Sequence, residues 1–496
     1  MAIIPNRLVL GTVQLGMPYG IANNCGQPDY QQARSIIAAA SEAGIDKFDT
    51  AQGYGDSESV LAKALTELGL LSRVRVFTKL HPALDHTDSD ALRQAIGQSS
   101  ALFGPALYCL MLHREEFLQR WSAGLGEQLR NYRDQKLFSS LGISVYDPPA
   151  ARRALETEGI DLVQLPANIL DRRHERAGVM DLARSLGKTI MIRSVFLQGA
   201  LLLPVENLPE RIQHARPYLD PIAKAAQLSG ITSKELTLGF VRDHWPDCLV
   251  VFGAEQAEQV HENANVWART LPAEALKNLE KNNADIPPLE VIRPDLWEDT
   301  QPLVVGSRLR LRRMRPSDAL GEYVHWMNDP QVTRFLESRF HSYSSEDLEK
   351  YILSQRSNPA VLFLAIEEIR SGRHIGNIKI GPRHEIHETA ELGFLIGAKE
   401  CWGKGYATEA IKLAVKLAFE TLSVRKVVAG CYRNNVASEK AFIKNGFICE
   451  GVLSGHATDG QDVTDVLTFG LLRDSWQENR HSNTPSVITH QCEKIS

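Results

Sequence analysis

The chain has 496 residues, of which 43% are hydrophobic and 23% charged, and its formal net charge is -5. A weakly acidic chain lacks the basic stripe that nucleic-acid binding requires. No segment approaches the roughly 18 consecutive apolar residues of a membrane span. Composition therefore argues against a nucleic-acid partner and against a membrane protein, and it agrees with a soluble intracellular enzyme.

The cysteines and the N-terminus indicate a cellular compartment. The seven cysteines are an odd number without paired spacing, which favours reduced thiols in the cytosol over a disulfide framework. The first residues combine a short apolar run with no basic start, so no targeting segment is predicted. We expect a cytoplasmic protein, and the sequence is compatible with a homo-oligomer.

Four polar residues in the first half of the chain each follow an apolar, strand-like run: Asp49, Tyr54, Lys79 and His113. In an eight-stranded α/β barrel, catalytic groups gather where the strands end, so such residues converge at one mouth. Lys79, fixed by Asp49, would lower the pKa of Tyr54. His113 would hydrogen-bond a substrate carbonyl, and Tyr54 would protonate the new alkoxide. Singly, an ordinary ion pair and a core histidine explain these residues, but their order favours catalysis.

Residues 8 to about 285 resemble an aldo/keto reductase, whose tetrad of Asp, Tyr, Lys and His these four match one for one. The resemblance extends to further segments in the family's order: LVLGT at 8–12, GIDKFDTAQGYGDSE at 44–58, LGIS at 141–144, VQLPANILD at 163–171 and VFGAEQAEQVHENA at 251–264. It implies a (β/α)8 barrel that reduces a carbonyl with a nicotinamide cofactor, and NADPH is expected over NADH.

The same resemblance implies a set of cofactor-binding residues. Those near the nicotinamide would be Ser144, Gln164, Asn168 and Arg193, and those at the adenine-ribose end would be Gly253, Ala254, Gln259 and Asn263. The chain departs from the family at three positions. Val145 stands where an Asn is frequent, Arg193 where an aromatic residue often stacks on the nicotinamide, and Gln259 where many NADP-selective members have Arg.

A second signature, AELGFLIGAKECWGKGYATEAIKLAVKLAFETL, occupies residues 390–422. It predicts a strand, a loop with Gly403 and Gly405, and an amphipathic helix. A glycine-rich turn that opens a helix presents free N–H groups and the positive end of the helix dipole, which suits a pyrophosphate. The strand-like VRKVVAGCY and the helical pattern of NNVASEKAFIKNGF at 434–447 follow, and the combination is more specific than the Gly-x-Gly pair alone.

Residues 304 to about 472 thus resemble a GCN5-related N-acetyltransferase (GNAT), which implies acetyl-CoA as the second cofactor. In that family the W-G-K-G-Y-A loop holds the pyrophosphate and the Asn-x-x-Ser helix lines the pantetheine arm. The implied binding residues are Trp402, Gly403, Lys404, Gly405, Tyr406, Ala407, Asn435 and Ser438.

Catalysis of acetyl transfer requires an amine to lose a proton and a thiolate to leave. Glu391, on the strand before the loop, is the candidate general base. The family's frequent tyrosine acid is Phe442 here, so the acid is unassigned, and Tyr406 and Tyr432 are alternatives. No metal site is expected, since His384 and His387 have no third ligand at a recognised spacing.

The fold class is therefore α/β, with an N-terminal (β/α)8 TIM barrel followed by a smaller α/β domain of GNAT fold. We place the barrel at 1–285, a linker at 286–302, the acetyltransferase domain at 303–475 and a flexible tail at 476–496. The linker gathers prolines and acids, and Pro287 and Pro288 exclude a continuous helix there. The tail is rich in Ser, Thr, Asn and His.

A fusion of a reductase and an acetyltransferase suggests one pathway and one substrate with a carbonyl or hydroxyl and an amine. Segments 376–397 and 335–352 resemble the branch acting on nucleotide-linked amino sugars and nonulosonates of bacterial surface glycans. The leading hypothesis is a bifunctional enzyme for such an amino-deoxy sugar. The runner-up acetylates N-terminal amines of proteins, with the barrel as an independent reductase. A third hypothesis makes the barrel an NADPH-binding regulator.

Overall fold

The computed structural model describes residues 7–23, 25–85, 87–282, 287–300, 302–458 and 462–481. The chain divides into two compact units, Met1–Pro287 and Pro288–Ser496. None of the helices in the described ranges combines the length and the apolarity that a bilayer crossing requires.

The first unit is a closed barrel of eight parallel strands in sequential order. Its strands are β1 (Leu8–Gly11), β2 (Lys47–Asp49), β3 (Arg75–Lys79), β4 (Leu107–Leu112), β5 (Ser140–Ser144), β6 (Leu162–Pro166), β7 (Thr189–Arg193) and β8 (Leu249–Gly253). Pairing of β1 with β8, from Leu8 opposite Val250 to Gly11 opposite Gly253, closes it. The predicted (β/α)8 barrel is confirmed.

Twelve α-helices surround or follow these strands in the described part of the unit. They are α1 (Val13–Gly16), α2 (Tyr30–Glu42), α3 (Ser57–Glu67), α4 (Ser89–Phe103), α5 (Gly126–Asp134), α6 (Pro148–Glu156), α7 (Arg173–Arg176), α8 (Val179–Ser185), α9 (Arg216–Leu228), α10 (Ser233–His244), α11 (Ala257–Ala268) and α12 (Ala273–Asn282). Capping boxes start two of them, Asp29 with Gln32 at α2 and Thr232 with Glu235 at α10.

Side chains fill the interior of the barrel. The buried residues packed together there are Val9, Phe77, Cys109, Met111, Leu162, Met191 and Val251. Strand residues alternate between the two faces of a sheet. Cys109 and Met111, both on β4, therefore point into the interior two residues apart. The barrel is a packed core, so a ligand can reach only its ends.

The second unit is built on an eight-stranded sheet of order β15-β16-β14-β13-β12-β11-β10-β9. Its strands are β9 (Pro302–Val305), β10 (Leu309–Arg313), β11 (Leu362–Glu368), β12 (His374–His384), β13 (Thr389–Ile396), β14 (Lys426–Tyr432), β15 (Ile448–Thr458) and β16 (Val463–Leu472). All neighbours are antiparallel except β13 and β14, which are parallel. The predicted GNAT-type α/β fold is confirmed.

Seven α-helices belong to this unit in the described residues: α13 (Leu289–Ile292), α14 (Glu322–Met327), α15 (Pro330–Thr333), α16 (Ser345–Ser357), α17 (Tyr406–Glu420), α18 (Val436–Lys444) and α19 (Arg473–His481). The longest, α17, buries eight residues, Ala410 and Phe419 among them, in the core of the unit. Its burial fixes the position of the loop that precedes it.

Two segments predicted to lie between or beyond domains have structure of their own. Within 286–302, α13 and a 3-10 turn over Pro294–Thr300 are part of the second unit. Trp297 is 1% exposed, and the Glu290 carboxylate accepts hydrogen bonds from the Ser317 N–H at 2.8 Å and hydroxyl at 2.6 Å. Burial of this tryptophan anchors the segment. In the predicted tail, α19 extends to His481, and 482–496 lie outside the described residues.

A buried ionic network joins β10 and β11 in the second unit. The Arg312 guanidinium donates to Glu367 at 2.7 Å and to both oxygens of Asp318 at 2.8 Å, and all three side chains are buried. Burial would raise the pKa of Asp318 and of Glu367, but the hydrogen bonds and charge of Arg312 hold both values below their ordinary range. Asp318 therefore depends on Arg312 as its cation, whereas Glu367 shares Arg312 with the more exposed Arg310.

We predict that Arg312→Met lowers the unfolding free energy of the second unit by about 3–5 kcal/mol, because it leaves the buried Asp318 carboxylate without its cation and Glu367 with Arg310 alone. Urea unfolding followed by tryptophan fluorescence measures the loss. Since both carboxyls have folded-state pKa values below their unfolded values, the stabilisation is present at neutral pH and is lost as the pH falls through the folded values. The difference between wild type and variant therefore shrinks on acidification.

Arg310→Met is the matched control, because Arg310 contacts the same Glu367 at 2.6 Å but is 39% exposed. An exposed partner contributes about 1 kcal/mol or less. Equal losses in the two variants, or a difference independent of pH, would contradict the assignment.

Candidate active sites

The predicted residues of the first unit lie at one end of the barrel. Asp49, Lys79, Ser144, Arg193 and Gly253 are the last residues of β2, β3, β5, β7 and β8. His113 directly follows β4, and Gln164 lies in β6 next to Ser144. Because parallel strands of a barrel all end at the same rim, these side chains converge on one mouth.

A buried ion pair forms the floor of this mouth. The Lys79 ammonium donates to the two oxygens of Asp49 at 2.7 and 2.8 Å and to the Thr50 carbonyl at 3.0 Å. The Gln164 amide donates to Asp49 at 2.8 Å from the opposite side of the barrel. Lys79 is 1% and Asp49 5% exposed, so neither charge is screened by water. Burial lowers the pKa of Lys79, and Asp49 acts in the opposite direction.

Tyr54 and His113 lie above this ion pair. Their rings meet edge to face with centroids 5.9 Å apart, and the Lys79 ammonium lies 5.1 Å from the centroid of the Tyr54 ring. Nδ1 of His113 is buried and has no hydrogen-bond partner among the described residues. The proton donor, the imidazole and the cation are therefore within reach of one bound carbonyl group.

The expected effect of Lys79 on Tyr54 is not found. Burial raises the pKa of Tyr54 well above its ordinary value, the Asp49 charge raises it further, and Arg193 is the cation that lowers it. Lys79 lies against the face of the ring, and both oxygens of Asp49 accept hydrogen bonds from its ammonium group. Tyr54 is consequently protonated at neutral pH, which is the state that a proton donor requires.

His113 is neutral under the same conditions. Burial lowers its pKa to about 3, and the charges of Lys79, Arg193 and Arg114 contribute to the lowering. A neutral imidazole can donate one N–H to a carbonyl oxygen, and because it has no charge it is not repelled by Lys79. The site can hold a carbonyl oxygen between one hydroxyl and one imidazole donor.

The residues predicted near the nicotinamide have different surroundings. Ser144 is buried, and Oε1 of Gln164 is buried without a partner in the described residues, so an acceptor there awaits a donor. Asn168 instead serves the protein itself. Its amide donates to the Ser194 carbonyl at 3.0 Å, and its oxygen accepts from Leu170 and Asp171, each at 2.9 Å.

At the adenine-ribose end, close packing explains Gly253. A Cβ on this residue would lie 2.2 Å from Nε2 of Gln14, so any larger residue would displace the Gln14 side chain. Gln259 accepts from the Glu255 N–H at 2.8 Å and shapes the turn after β8, which contains the buried Ala254. The carbonyl oxygens of Gln14 and Asn263 are buried and unpartnered within the described chain. These orphaned acceptors fit a ligand that carries amide or hydroxyl donors, as a nicotinamide dinucleotide does.

The structure adds two tyrosines that sequence reasoning missed. Tyr146 lies under the Arg193 guanidinium at 4.3 Å from the ring centroid. The Tyr19 hydroxyl accepts from Nε2 of Gln198 at 3.1 Å, and the Gln198 carbonyl accepts from the Ile21 N–H at 2.9 Å. The position of Tyr146, two residues after β5, could have suggested it, whereas Tyr19 carried no local signal.

In the second unit, the parallel strands β13 and β14 part from each other. They pair from Thr389 opposite Lys426 to Leu392 opposite Ala429, yet β13 continues to Ile396 and β14 to Tyr432. Past Leu392, no pairing between the two strands occurs within these described residues, so facing backbone groups are open to a ligand. This gap suits an extended arm that carries amide groups, such as pantetheine.

The loop after β13 is fixed at both ends. The indole of Trp402 donates to the Ile396 carbonyl at 2.8 Å, and Arg308 donates to the Lys404 carbonyl at 3.0 Å. Gly403 and Gly405 have φ values of +72° and +80°, which glycine adopts without strain. Gly405 then opens α17 without a side-chain cap. The first N–H groups of this helix, which include those of Tyr406 and Ala407, are available to an anion.

Asn435 and Ser438 form the start of α18. The Asn435 side-chain oxygen accepts from the Ser438 N–H at 3.2 Å and caps the helix. The predicted place of a catalytic tyrosine is filled by Phe442, which is 1% exposed and packs on Phe394 with ring centroids 5.6 Å apart. Phe442 is a core residue, and the acid of this site must come from elsewhere.

Glu391 lies on β13 where the pairing with β14 ends. Its side chain is exposed, and within the described chain it has no hydrogen bond or ion pair, so its carboxylate is accessible to a ligand. Tyr432, at the end of β14, is buried and donates to Glu337, while Arg339 donates to its hydroxyl at 3.2 Å. The Tyr406 hydroxyl donates to Glu368 at 2.5 Å. Both tyrosines are thus occupied by carboxylates.

The cysteines near this site have no electrostatic activation. Burial raises the pKa of Cys431 to about 12 and also raises that of Cys401. A nucleophilic cysteine requires a lowered pKa. Among the described residues, no group of three or more His, Cys, Asp or Glu side chains is arranged to hold a metal ion.

Comparisons with known proteins agree with the two geometries. A model of the aldo/keto reductase family matches residues 7–284, and a model of the acetyltransferase (GNAT) domain matches residues 308–448. An uncharacterized N-acetyltransferase, YoaA of Bacillus subtilis, is 30% identical over 181 residues, which cover 35% of this chain and 97% of the relative. The aldo-keto reductase str7 of Strobilurus tenacellus is 24% identical over 269 residues, which cover 50% of this chain and 79% of the relative.

Among solved structures, spermidine N-acetyltransferase from Vibrio cholerae, in complex with CoA and spermine, is similar to the second unit. Its TM-score is 0.32 at 22% identity, and the match covers 35% of this chain and 99% of that chain. Family models thus match both units. The chain belongs to the aldo/keto reductase family through its first unit, and its second unit is a GNAT N-acetyltransferase domain.

Proposed function

We propose that the protein is a bifunctional enzyme that reduces, or reversibly oxidises, an amino-deoxy sugar with NADPH and N-acetylates its amine with acetyl-CoA. The observation that carries the reductase half is the convergence of Tyr54 and His113 over the buried Lys79–Asp49 pair. The substrate would be nucleotide-linked or a nonulosonate of bacterial surface glycans. The fusion of a carbonyl-directed site with an amine-directed site supports one compound bearing both groups.

In the reduction, the bound nicotinamide supplies a hydride to the carbonyl carbon. The residues of the chain handle the oxygen. His113, neutral because of its burial and the nearby cations, donates a hydrogen bond that orients and polarises the carbonyl. The π electrons of the C=O bond move onto the oxygen, and the resulting alkoxide takes the hydroxyl proton of Tyr54. Lys79 and Asp49 keep the floor of the site rigid, and Gln164 orients Asp49.

In the acetylation, acetyl-CoA supplies the acetyl group at the gap between β13 and β14. The Glu391 carboxylate would accept the proton of the acceptor amine, directly or through water, as nitrogen attacks the thioester carbonyl. The C–S bond would then break, and the departing thiolate would take up a proton from the solvent. Gly403 to Ala407 would bind the pyrophosphate through backbone N–H groups, and Lys404 would add a positive charge. Asn435 and Ser438 would line the arm.

The function is tested by mass spectrometry of the full chain with NADPH, acetyl-CoA and a panel of nucleotide-linked amino sugars and nonulosonates. Peptides starting with Ala or Ser are present in the same mixture. We expect one sugar to gain an acetyl group, or an acetyl group and two hydrogens. Acetylation of the peptides alone would exclude the sugar substrate and support an enzyme that modifies N-terminal amines of proteins.

Two variants are expected to separate the two activities. Tyr54→Phe removes the proton donor and should lower kcat for NADPH-dependent reduction by about 100-fold or more, with acetylation retained. Glu391→Gln removes the base and should lower kcat for acetylation by a similar factor, with reduction retained. Initial rates of NADPH oxidation and of thiol release measure both.

Tyr30→Phe and Glu388→Gln are the matched controls. Tyr30, on α2, packs under Lys63 of α3. Glu388 lies in the turn three residues before Glu391. Both controls should keep both activities. If Tyr54→Phe changed no activity at all, the barrel would be a regulatory or scaffolding module instead.

Gly403→Ala should weaken acetyl-CoA binding, because alanine adopts a positive φ only at a cost and the loop must change shape to relieve it. The expected increase in Kd is about 10-fold, measured by calorimetry. Gly372→Ala is a close control, since Gly372 has a φ of +68° and a Cβ on either glycine meets nothing within 4 Å. Equal Kd values for the two variants would rule out a role of the loop in binding.

A further inference from the structure

Arg193 is a cation in the mouth of the barrel whose charge no carboxylate neutralises. Its contacts are long hydrogen bonds, 3.4 Å each, to the Ser194 hydroxyl and the Val145 carbonyl, and the face of Tyr146. No carboxylate lies within ion-pair distance of it in the described chain. Its guanidinium is half-buried, so the charge is partly desolvated without an ion-pair partner to offset the cost.

Neighbouring charges emphasise this isolation. Asp147, which follows Tyr146 directly in the chain, and Asp171 are both engaged by Arg173, at 3.4 and 2.9 Å. In the same mouth, Asp49 forms an ion pair with Lys79. Arg114, beside His113, is exposed and likewise has no ion pair among the described residues. The mouth therefore contains two uncompensated guanidinium groups.

The charge of Arg193 reaches the reacting groups. It lowers the pKa of Tyr54 and contributes, after burial and Lys79, to the low pKa of His113. Arg193 is the last residue of β7, on the rim where the tetrad residues of β2 and β3 also end. A group bound by Arg193 is thus close to a carbonyl held by Tyr54 and His113.

Stacking of Arg193 on the nicotinamide explains these observations less well. Tyr146 already covers one face of the guanidinium. The oxidised nicotinamide ring is positively charged, so a cation stacked on it would oppose the product complex of a reduction. The edges of the guanidinium are a planar fork of N–H donors, and such a fork matches a carboxylate or a phosphate with two parallel hydrogen bonds.

We propose that Arg193 determines substrate specificity by binding an anionic group, a carboxylate or a phosphate, that the carbonyl substrate itself carries. This inference rests on the proposed reductase function and names its substrate class. Arg114 adds long-range attraction at the entrance, whereas Arg193 makes the contact. A substrate without an anionic group leaves the half-buried cation unpaired and binds less well.

The test compares pairs of aldehydes that differ in charge alone or nearly so. Succinic semialdehyde and butyraldehyde differ by a carboxylate, and glyceraldehyde 3-phosphate and glyceraldehyde by a phosphate. The measured quantity is the ratio of kcat/KM for the charged to the neutral member, because any general damage to the site cancels in it. We expect wild type to favour one charged aldehyde, and Arg193→Met to reduce that ratio by about 10- to 100-fold.

Two further variants sharpen the comparison. Arg193→Lys keeps the charge without the fork, so its ratio should lie between those of wild type and Arg193→Met. Arg184→Met removes an exposed arginine of α8 that pairs with Asp181 on the same helix and with Asp247 before β8. It lies close to where β7 begins, at the opposite end of the barrel. Its ratio should equal that of wild type.

The contrary results are distinct. An unchanged ratio in Arg193→Met overturns the inference, and an unchanged ratio with a large increase in the NADPH Kd, measured by cofactor fluorescence, assigns Arg193 to a cofactor phosphate. If wild type reduces none of the four aldehydes, the reductase proposal fails for these carbonyls. The anion site is then judged by saturation-transfer NMR of succinate on the NADP-loaded chain. Binding lost in Arg193→Met supports it, and no binding to wild type refutes it.

Discussion

The buried pair of Lys79 and Asp49 is the interaction on which the first site depends. It joins the ends of β2 and β3, and Gln164 extends it to β6, so three strands of the barrel are tied at one level. In a buried site the charges are only weakly screened, so each is costly without the other. The pair therefore forms a fixed floor for the site, and the ring of Tyr54 lies on it with its centroid 5.1 Å from the Lys79 ammonium.

Both units prepare their sites with groups that need no rearrangement at the moment of reaction. In the barrel these are side chains at strand ends held by burial. In the acetyltransferase unit they are mostly backbone groups, exposed where β13 and β14 part and where Gly405 opens α17. Preorganised donors of this kind stabilise developing charge because their orientation is already determined by the fold. The first unit thus offers oriented side chains and the second unit oriented backbone groups to the charge that develops during reaction.

Sequence alone predicts the fold and the grouping of the tetrad, because each polar residue closes an apolar run and parallel strands end together. It also predicts the glycine loop, because backbone positions with positive φ are usually occupied by glycine, as at Gly403 and Gly405. The direction of the Tyr54 pKa could not be predicted, because it depends on which face of the ring Lys79 occupies and on how Asp49 shares its oxygens. The contact of Arg193 with Tyr146 joins residues 47 positions apart and leaves no local pattern. Acids and prolines around Trp297 suggested a linker, while its burial depends on packing partners distant in sequence.

Closure of the barrel by β1 and β8 has a consequence for the way the chain folds. Leu8 to Gly11 find their partners at Val250 to Gly253, so the first strand stays incompletely paired until more than half of the chain has been synthesised. Contacts so far apart along the chain are slow to form, and an unpaired strand edge is prone to wrong association. The acetyltransferase sequence follows the last strand of the barrel. Order of synthesis thus lets the reductase unit close before the strands of the next sheet emerge to compete for its open edge.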